Sequence, residues 1–306
     1  MVLAAAACFG VLSVIVKLTL PVALAPGASL LERTAVSLEI LGVRYFVAAS
    51  ILWIVLGVFR REVLRQGRKH VMRIAGLALV GYGFASVCFF IALTRISASL
   101  VALILYTYPT LVAVASVRLF DEPLTKSRVS ALVMTFAGVG LAVWAPGMRV
   151  DFLGVLICAG APVGYAAFSI LSYRWRLDFA PEAITAWGLP VAAVPVLTLA
   201  LLIPASRGPV AQVVSWSPTV WLAILAMALF PTIAAIGLYV RGMARLGAPA
   251  AALASTFEPV VTLALAAALL GERLTATQWV GALLVLMGVV VAELGPLAPR
   301  TPPTGG

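Results

Sequence analysis

The feature that most constrains this chain is an apolar run from Gly247 to Leu270, long enough to cross a bilayer and interrupted by one carboxylate and one proline, Glu258-Pro259. At 1.5 Å per residue the interruption lies roughly 15 Å into the run, near the midplane of a hydrocarbon core about 30 Å thick. Lipid offers nothing to solvate a carboxylate at that depth, so an ionisable residue there is costly and usually functional. Pro259 lacks the N–H that would serve the carbonyl four residues back, which weakens the helix beside the carboxylate. The run ends at Gly271-Glu272-Arg273-Leu274-Thr275.

The same pattern occurs earlier. Arg95–Ala142 laid on Arg245–Ala292, an offset of 150 residues, matches without a gap at Arg95/Arg245, Pro109/Pro259, Glu122/Glu272, Thr125/Thr275 and Gly138/Gly288. Further matches among Ala, Leu and Val carry little weight in apolar text. We read the chain as a duplication, with 1–147 and 148–294 as the two units. The tail 295–306, rich in Pro, Gly and Thr, is expected to be disordered.

A chain of 306 residues that is 63% hydrophobic and 10% charged has too little polar surface for a soluble domain, and it lacks the alternation of transmembrane strands. The expected fold is all-α and polytopic, with ten transmembrane helices in two inverted five-helix repeats. The spans are read at roughly Val2–Leu24, Leu38–Val58, Ile74–Thr94, Ala98–Leu119, Val129–Ala145, Phe152–Ser172, Ile184–Ile203, Thr219–Val240, Gly247–Leu270 and Trp279–Glu293. The first carries Lys17 and has no basic leader, so it is read as a retained span and not a cleaved signal.

Charge placement sets the orientation. One side would hold Arg60, Arg61, Arg65, Arg68, Lys69 and Arg73 in a single loop, then Arg118, Lys126, Arg128, Arg174, Arg176, Arg241, Arg245 and Arg300. The other would hold Arg33, Arg95, Arg149, Arg207 and Arg273. This bias puts both termini in the cytoplasm of an inner (plasma) membrane protein, and makes the net charge of +10 a topology signal unrelated to nucleic acid. Five spans per unit is an odd number, so the two units cross in opposite senses. Carriers built this way hold substrate near the midplane, between the repeats.

At these residues the chain resembles the drug/metabolite transporter superfamily, EamA type. The motifs are Gly42-Val-Arg44-Tyr45-Phe46-x-x-Ala49, the paired Pro109…Glu122-x-Leu-Thr125 and Pro259…Gly271-Glu272-Arg-Leu-Thr275, and the glycines at 138 and 288. The resemblance implies a ten-helix carrier of small metabolites, mostly an exporter, working by alternating access. Asp121 in place of the second copy's Gly271, Pro123, and a long outer loop at Ala25–Ser37 depart from the pattern.

Glu258 falls on a small and polar stripe with Ala251, Ser255, Thr262 and Ala266. It is either a substrate ligand or proton carrier, or a partner for backbone loosened at Pro259. Lys17 and Arg44 are placed at a similar depth, roughly 10 Å below the outer surface. Each either serves the site, with Glu39 as an available partner, or snorkels to the headgroups. Tyr108 occupies the position matching Glu258 in the first copy, beside Pro109. Tyr82, Tyr106, Tyr165 and Trp187 are further candidates to line a cavity or simply to pack.

The paired breaks at Pro109 and Pro259 would flank the substrate, with tyrosine on one side and glutamate on the other. Thr275-x-x-Gln278 is a capping box, and it and the Glu272 turn are structural features. Cys8, Cys88 and Cys158 are isolated and His70 is the only histidine, so no metal, cofactor or nucleophilic site is expected. No Gly-x-x-x-x-Gly-Lys loop occurs, which argues against an ATP-driven pump. The expected activity is secondary export of a small polar or zwitterionic metabolite, amino-acid-like, with proton coupling through Glu258 one available mode. The alternatives are a non-transporting scaffold such as a lipid scramblase or receptor, or an intramembrane enzyme.

Overall fold

The computed structural model describes residues 1–119, 125–145, 150–175, 181–204, 214–246, 251 and 254–294. The Glu122 turn, the first residues of the Gly247–Leu270 run and the 295–306 tail lie outside them. The described residues form helices joined by short turns. In order they are α1 (Val2–Ala23), α2 (Leu30–Phe59), α3 (Arg68–Leu93), α4 (Ala98–Leu105), α5 (Tyr108–Leu119), α6 (Lys126–Val143), α7 (Phe152–Arg174), α8 (Pro181–Leu202), α9 (218–246), α10 (Phe257–Leu269) and α11 (Ala276–Leu294). Among the described residues eight helical stretches are long and apolar enough to cross a membrane, α4 and α5 together counting as one. The apolar helices Phe257–Leu270 and Ala276–Ala292 are shorter.

Local chemistry explains where these helices begin. Ser29 accepts from the Glu32 amide at 3.2 Å, and Glu32 accepts from the Ser29 amide at 2.7 Å. This capping box starts α2 well before Leu38, so the long outer loop expected at Ala25–Ser37 is a correction: only a short turn precedes the helix. Thr275 and Gln278 form the expected box ahead of α11, through Thr275 N to Gln278 Oε1 at 3.0 Å and Gln278 N to Thr275 Oγ1 at 3.3 Å. Gly271, at φ +66°, closes α10 in the left-handed conformation that a side chain resists.

Two features recur at the repeat offset. A π-helical segment at Leu79–Ala85 interrupts α3, and another at Leu229–Ala234 interrupts α9. Gly138 and Gly288 both sit in the α6–α11 seam. A Cβ at Gly138 would stand 2.5 Å from the Gly281 carbonyl, and one at Gly288 would stand 2.9 Å from the Ala131 carbonyl. The two helices therefore pack backbone to backbone, as small residues permit in a membrane.

Both prolines stand in the first turn of a helix. α4 ends at Leu105, Tyr106-Thr107 form a turn, and α5 begins at Tyr108 with Pro109 in its first turn. Likewise Thr256 precedes α10, and Pro259 lies in that helix's first turn. A first-turn proline needs no intrahelical donor, so each helix is fully broken just before its proline and restarts with it.

Candidate functional site

The two breaks meet through Tyr106. Its ring is buried at the end of α4, and its hydroxyl bonds both the Ser255 carbonyl and Glu258 Oε2, the latter at 3.0 Å. Ser255 lies four residues before Pro259, so its carbonyl is the one the missing proline N–H would have served. Tyr106 supplies a donor there from the other half of the chain.

Glu258 opens into a cavity of about 220 Å³, bounded by α1, α2, α3, α4, α7, α8 and α9 as well as α10. Its one other charged wall residue is Arg44 of α2. The guanidinium is 5% exposed and lies over the rings of Tyr45 and Phe90, with centroid distances of 4.9 and 5.4 Å. Its Nε and Nη1 have no hydrogen-bond partner among the described residues. No ion pair joins Arg44 to Glu258 among those residues. An acid and a base thus face one buried space with room between them.

Tyrosine, serine and threonine side chains make the rest of the polar lining. Tyr82, Tyr165 and Ser86 all border the cavity. The Tyr45 hydroxyl lies 2.8 Å from the Tyr82 carbonyl and 2.7 Å from Ser86 Oγ, bracing the π segment of α3. A π turn leaves carbonyls poorly served, which is one reason such segments recur at functional sites. Tyr82 Oη approaches Thr185 Oγ1 at 3.5 Å.

The candidates from sequence divide plainly. Glu258, Arg44, Tyr82 and Tyr165 come together around one cavity. Arg44 lies deeper than expected, because α2 starts at Leu30 and places it near the helix middle. Tyr108 lies behind Tyr106 and Tyr165, with ring centroids 6.1 Å from each, and does not border the cavity.

Lys17 belongs elsewhere. It lines a separate pocket with Pro21, Leu24, Arg33 and Thr94, and the charges acting on it are Glu272 and Arg33. Trp187 stacks edge-on to Trp53 in a groove between α2 and α8, its indole N–H donating to the Leu64 carbonyl at 3.3 Å. The Ser255 hydroxyl bonds the Ala251 carbonyl at 2.9 Å. Thr262 bonds the Gly10 carbonyl at 2.9 Å and the Glu258 carbonyl at 3.2 Å, pinning α10 to α1. Neither Ser255 nor Thr262 borders the cavity.

Two contacts tie elements together outside the cavity. Glu272 accepts from the amides of Ala98 (2.7 Å) and Ser99 (3.0 Å) and from Ser99 Oγ (2.7 Å), capping α4 from the other half of the chain. Asp151 accepts from the Gly154 amide at 3.0 Å and pairs with Arg95 at 2.6 Å. That amide and the guanidinium hold the Asp151 carboxyl below the usual carboxylate range. Among the described residues no cluster of His, Cys, Asp and Glu could hold a metal.

The chain is 27% identical to the uncharacterized transporter YyaM of Bacillus subtilis over 82% of each chain. It is 25% identical to a probable amino-acid metabolite efflux pump of Salmonella typhimurium, over 74% of this chain and 80% of that one. A solved crystal structure at 23% identity aligns over 94% of this chain and 96% of its own with a TM-score of 0.55, which supports the fold. The family model of EamA-like transporters matches residues 1–144 and again 152–294, and the chain belongs to that family.

Proposed function

We propose that this transporter is a secondary exporter of a small zwitterionic metabolite, and that Arg44 takes the carboxylate and Glu258 the ammonium group. The observation that carries the reading is the pair of opposite charges on one cavity whose remaining wall is mostly aromatic and aliphatic, with Ser86 and Thr232. At about 220 Å³ the space suits a molecule of amino-acid size better than a drug-sized one. Relatives named as probable amino-acid metabolite efflux pumps support the same substrate class.

The architecture proposed with it has ten crossings in two inverted repeats, 1–147 and 148–294, with both termini cytoplasmic. α4–α5 and the 247–270 stretch would be the paired broken helices. Alternating access would rock one repeat against the other about the cavity, and Glu258 would exchange a proton for substrate in each cycle.

The test is binding followed by flux. Purified protein should be stabilised thermally by one or a few amino acids and not by their amides or decarboxylated amines. Sealed inverted vesicles should then accumulate the same compound, labelled, with a dependence on pH that Glu258→Gln removes. Equal responses to the amino acid and its uncharged analogues would overturn the zwitterion reading.

A further inference from the structure

We infer that Tyr106 is the positioning residue that converts the proton on Glu258 into a conformational signal, by switching its one hydroxyl hydrogen between the carboxylate and the Ser255 carbonyl. The inference rests on the proposal that Glu258 exchanges a proton during transport.

Counting hydrogens carries the argument. The hydroxyl reaches two acceptors, Ser255 O and Glu258 Oε2, with one hydrogen to give. The Ser255 carbonyl needs that hydrogen, since residue 259 is proline and has no N–H. When Glu258 is a neutral acid its own O–H donates to Tyr106 Oη, Tyr106 donates to Ser255 O, and every group in the chain is satisfied. When the proton leaves to solvent the carboxylate can only accept, so it draws the Tyr106 hydrogen. Ser255 O, part-buried beside a helix break, then loses that donor, a costly state. No covalent bond other than O–H changes.

The consequence is mechanical because Tyr106 itself lies in the other break, between α4 and α5. With Glu258 protonated, one hydroxyl bolts the two interrupted helices together across the halves of the chain. With Glu258 ionised, the bolt lets go of the backbone just before α10, which is free to seek another donor in a rearranged state. α1 packs directly on this point: a Cβ at Gly10 would stand 2.8 Å from the Glu258 carbonyl.

The groups that face Glu258 leave Tyr106 in this role. α2 contributes Arg44 and Tyr45, α3 Tyr82, and α7 Tyr165 to the same cavity. Tyr108 of α5 and Tyr239 of α9 lie around Tyr106. Among the described residues Tyr106 alone hydrogen-bonds the Glu258 carboxylate.

Hydrogen–deuterium exchange on the full-length protein in liposomes reads the switch without any substrate. Protection of the amides from Ser255 to Val261, corrected for the intrinsic pH dependence of exchange, should fall severalfold in the wild type from acidic to alkaline pH. Glu258→Gln, whose amide donates to Tyr106 at every pH, should stay protected throughout. Tyr106→Phe should be unprotected throughout. If Tyr106→Phe does not fold, the contrast between wild type and Glu258→Gln still decides the matter.

Infrared difference spectra of the Glu258 carboxyl separate the two ideas. A Glu258 band that titrates while protection stays flat, or a Tyr106→Phe variant that keeps the wild-type step, overturns the switch and leaves proton exchange standing. A band absent at all pH overturns both.

Discussion

Arg44 is the residue whose chemistry most narrows the choice of ligand. A buried guanidinium with two nitrogens open to hydrogen bonding prefers a planar anion that its fork can grip in two places. Arg44→Lys keeps the charge and removes the fork. It should weaken binding of a carboxylate-bearing ligand by about 1–3 kcal/mol, measured calorimetrically, while leaving an amine analogue unaffected.

Trp53 offers a purely structural counterpart. Pro190 leaves the Ala186 carbonyl of α8 without its helical donor, and the Trp53 indole N–H supplies one at 2.9 Å. Trp53→Phe should cost about 1–3 kcal/mol of stability in detergent unfolding and leave ligand affinity alone. At this scale the sequence discloses Glu258 and Arg44, because an ionisable residue deep in an apolar run stands out. It cannot rank aromatics. Tyr106 and Tyr108 are two residues apart across a helix break, and only the position of the break shows which of them meets the glutamate. Lys17 and Arg44 look alike in hydropathy, yet the Ser29–Glu32 box extends α2 and so moves Arg44 inward.

At the scale of elements, the paired prolines, the Thr275 box and the glycines at 138 and 288 are all readable from a text that repeats. The π segments are not, since Leu79–Ala85, with two glycines, and Leu229–Ala234, with one proline, share no common signature beyond apolar character. The α6–α11 seam makes a sharp prediction. Gly138→Val forces side-chain atoms against the Gly281 carbonyl, where no flexible group can yield, and should lower stability by more than about 1–3 kcal/mol.

The Arg95–Asp151 link joins the turn after α3 to the start of α7, and its sign with pH is fixed. The Asp151 carboxyl titrates lower in the folded protein than in the unfolded chain. The link therefore stabilises above the unfolded value, about 3.9, and this contribution is lost as pH falls through the folded one. Asp151→Asn should lower the unfolding temperature at neutral pH, and the difference from wild type should shrink towards strongly acidic pH.

For the molecule as a whole, the decisive question is whether the two halves are inverted, because alternating access between repeats depends on it. Thr125 and Thr275 cap α6 and α11, equivalent helices at the repeat offset, so the residues just after them, Lys126 and Ala276, are equivalent and both exposed. In a parallel duplication they would lie on the same side of the membrane. In an inverted one they lie on opposite sides, and the crowding of Arg60, Arg61, Arg65, Arg68 and Lys69 from the end of α2 into the first turn of α3 would put Lys126 on the cytoplasmic side. With Cys8, Cys88 and Cys158 replaced, Ala276→Cys and Ala25→Cys should react with an impermeant thiol reagent in intact cells. Lys126→Cys and Lys69→Cys should react only after permeabilisation. Labelling of Lys126→Cys and Ala276→Cys from one side would rule out inversion, and the cavity would then join two halves that cannot exchange roles by rocking.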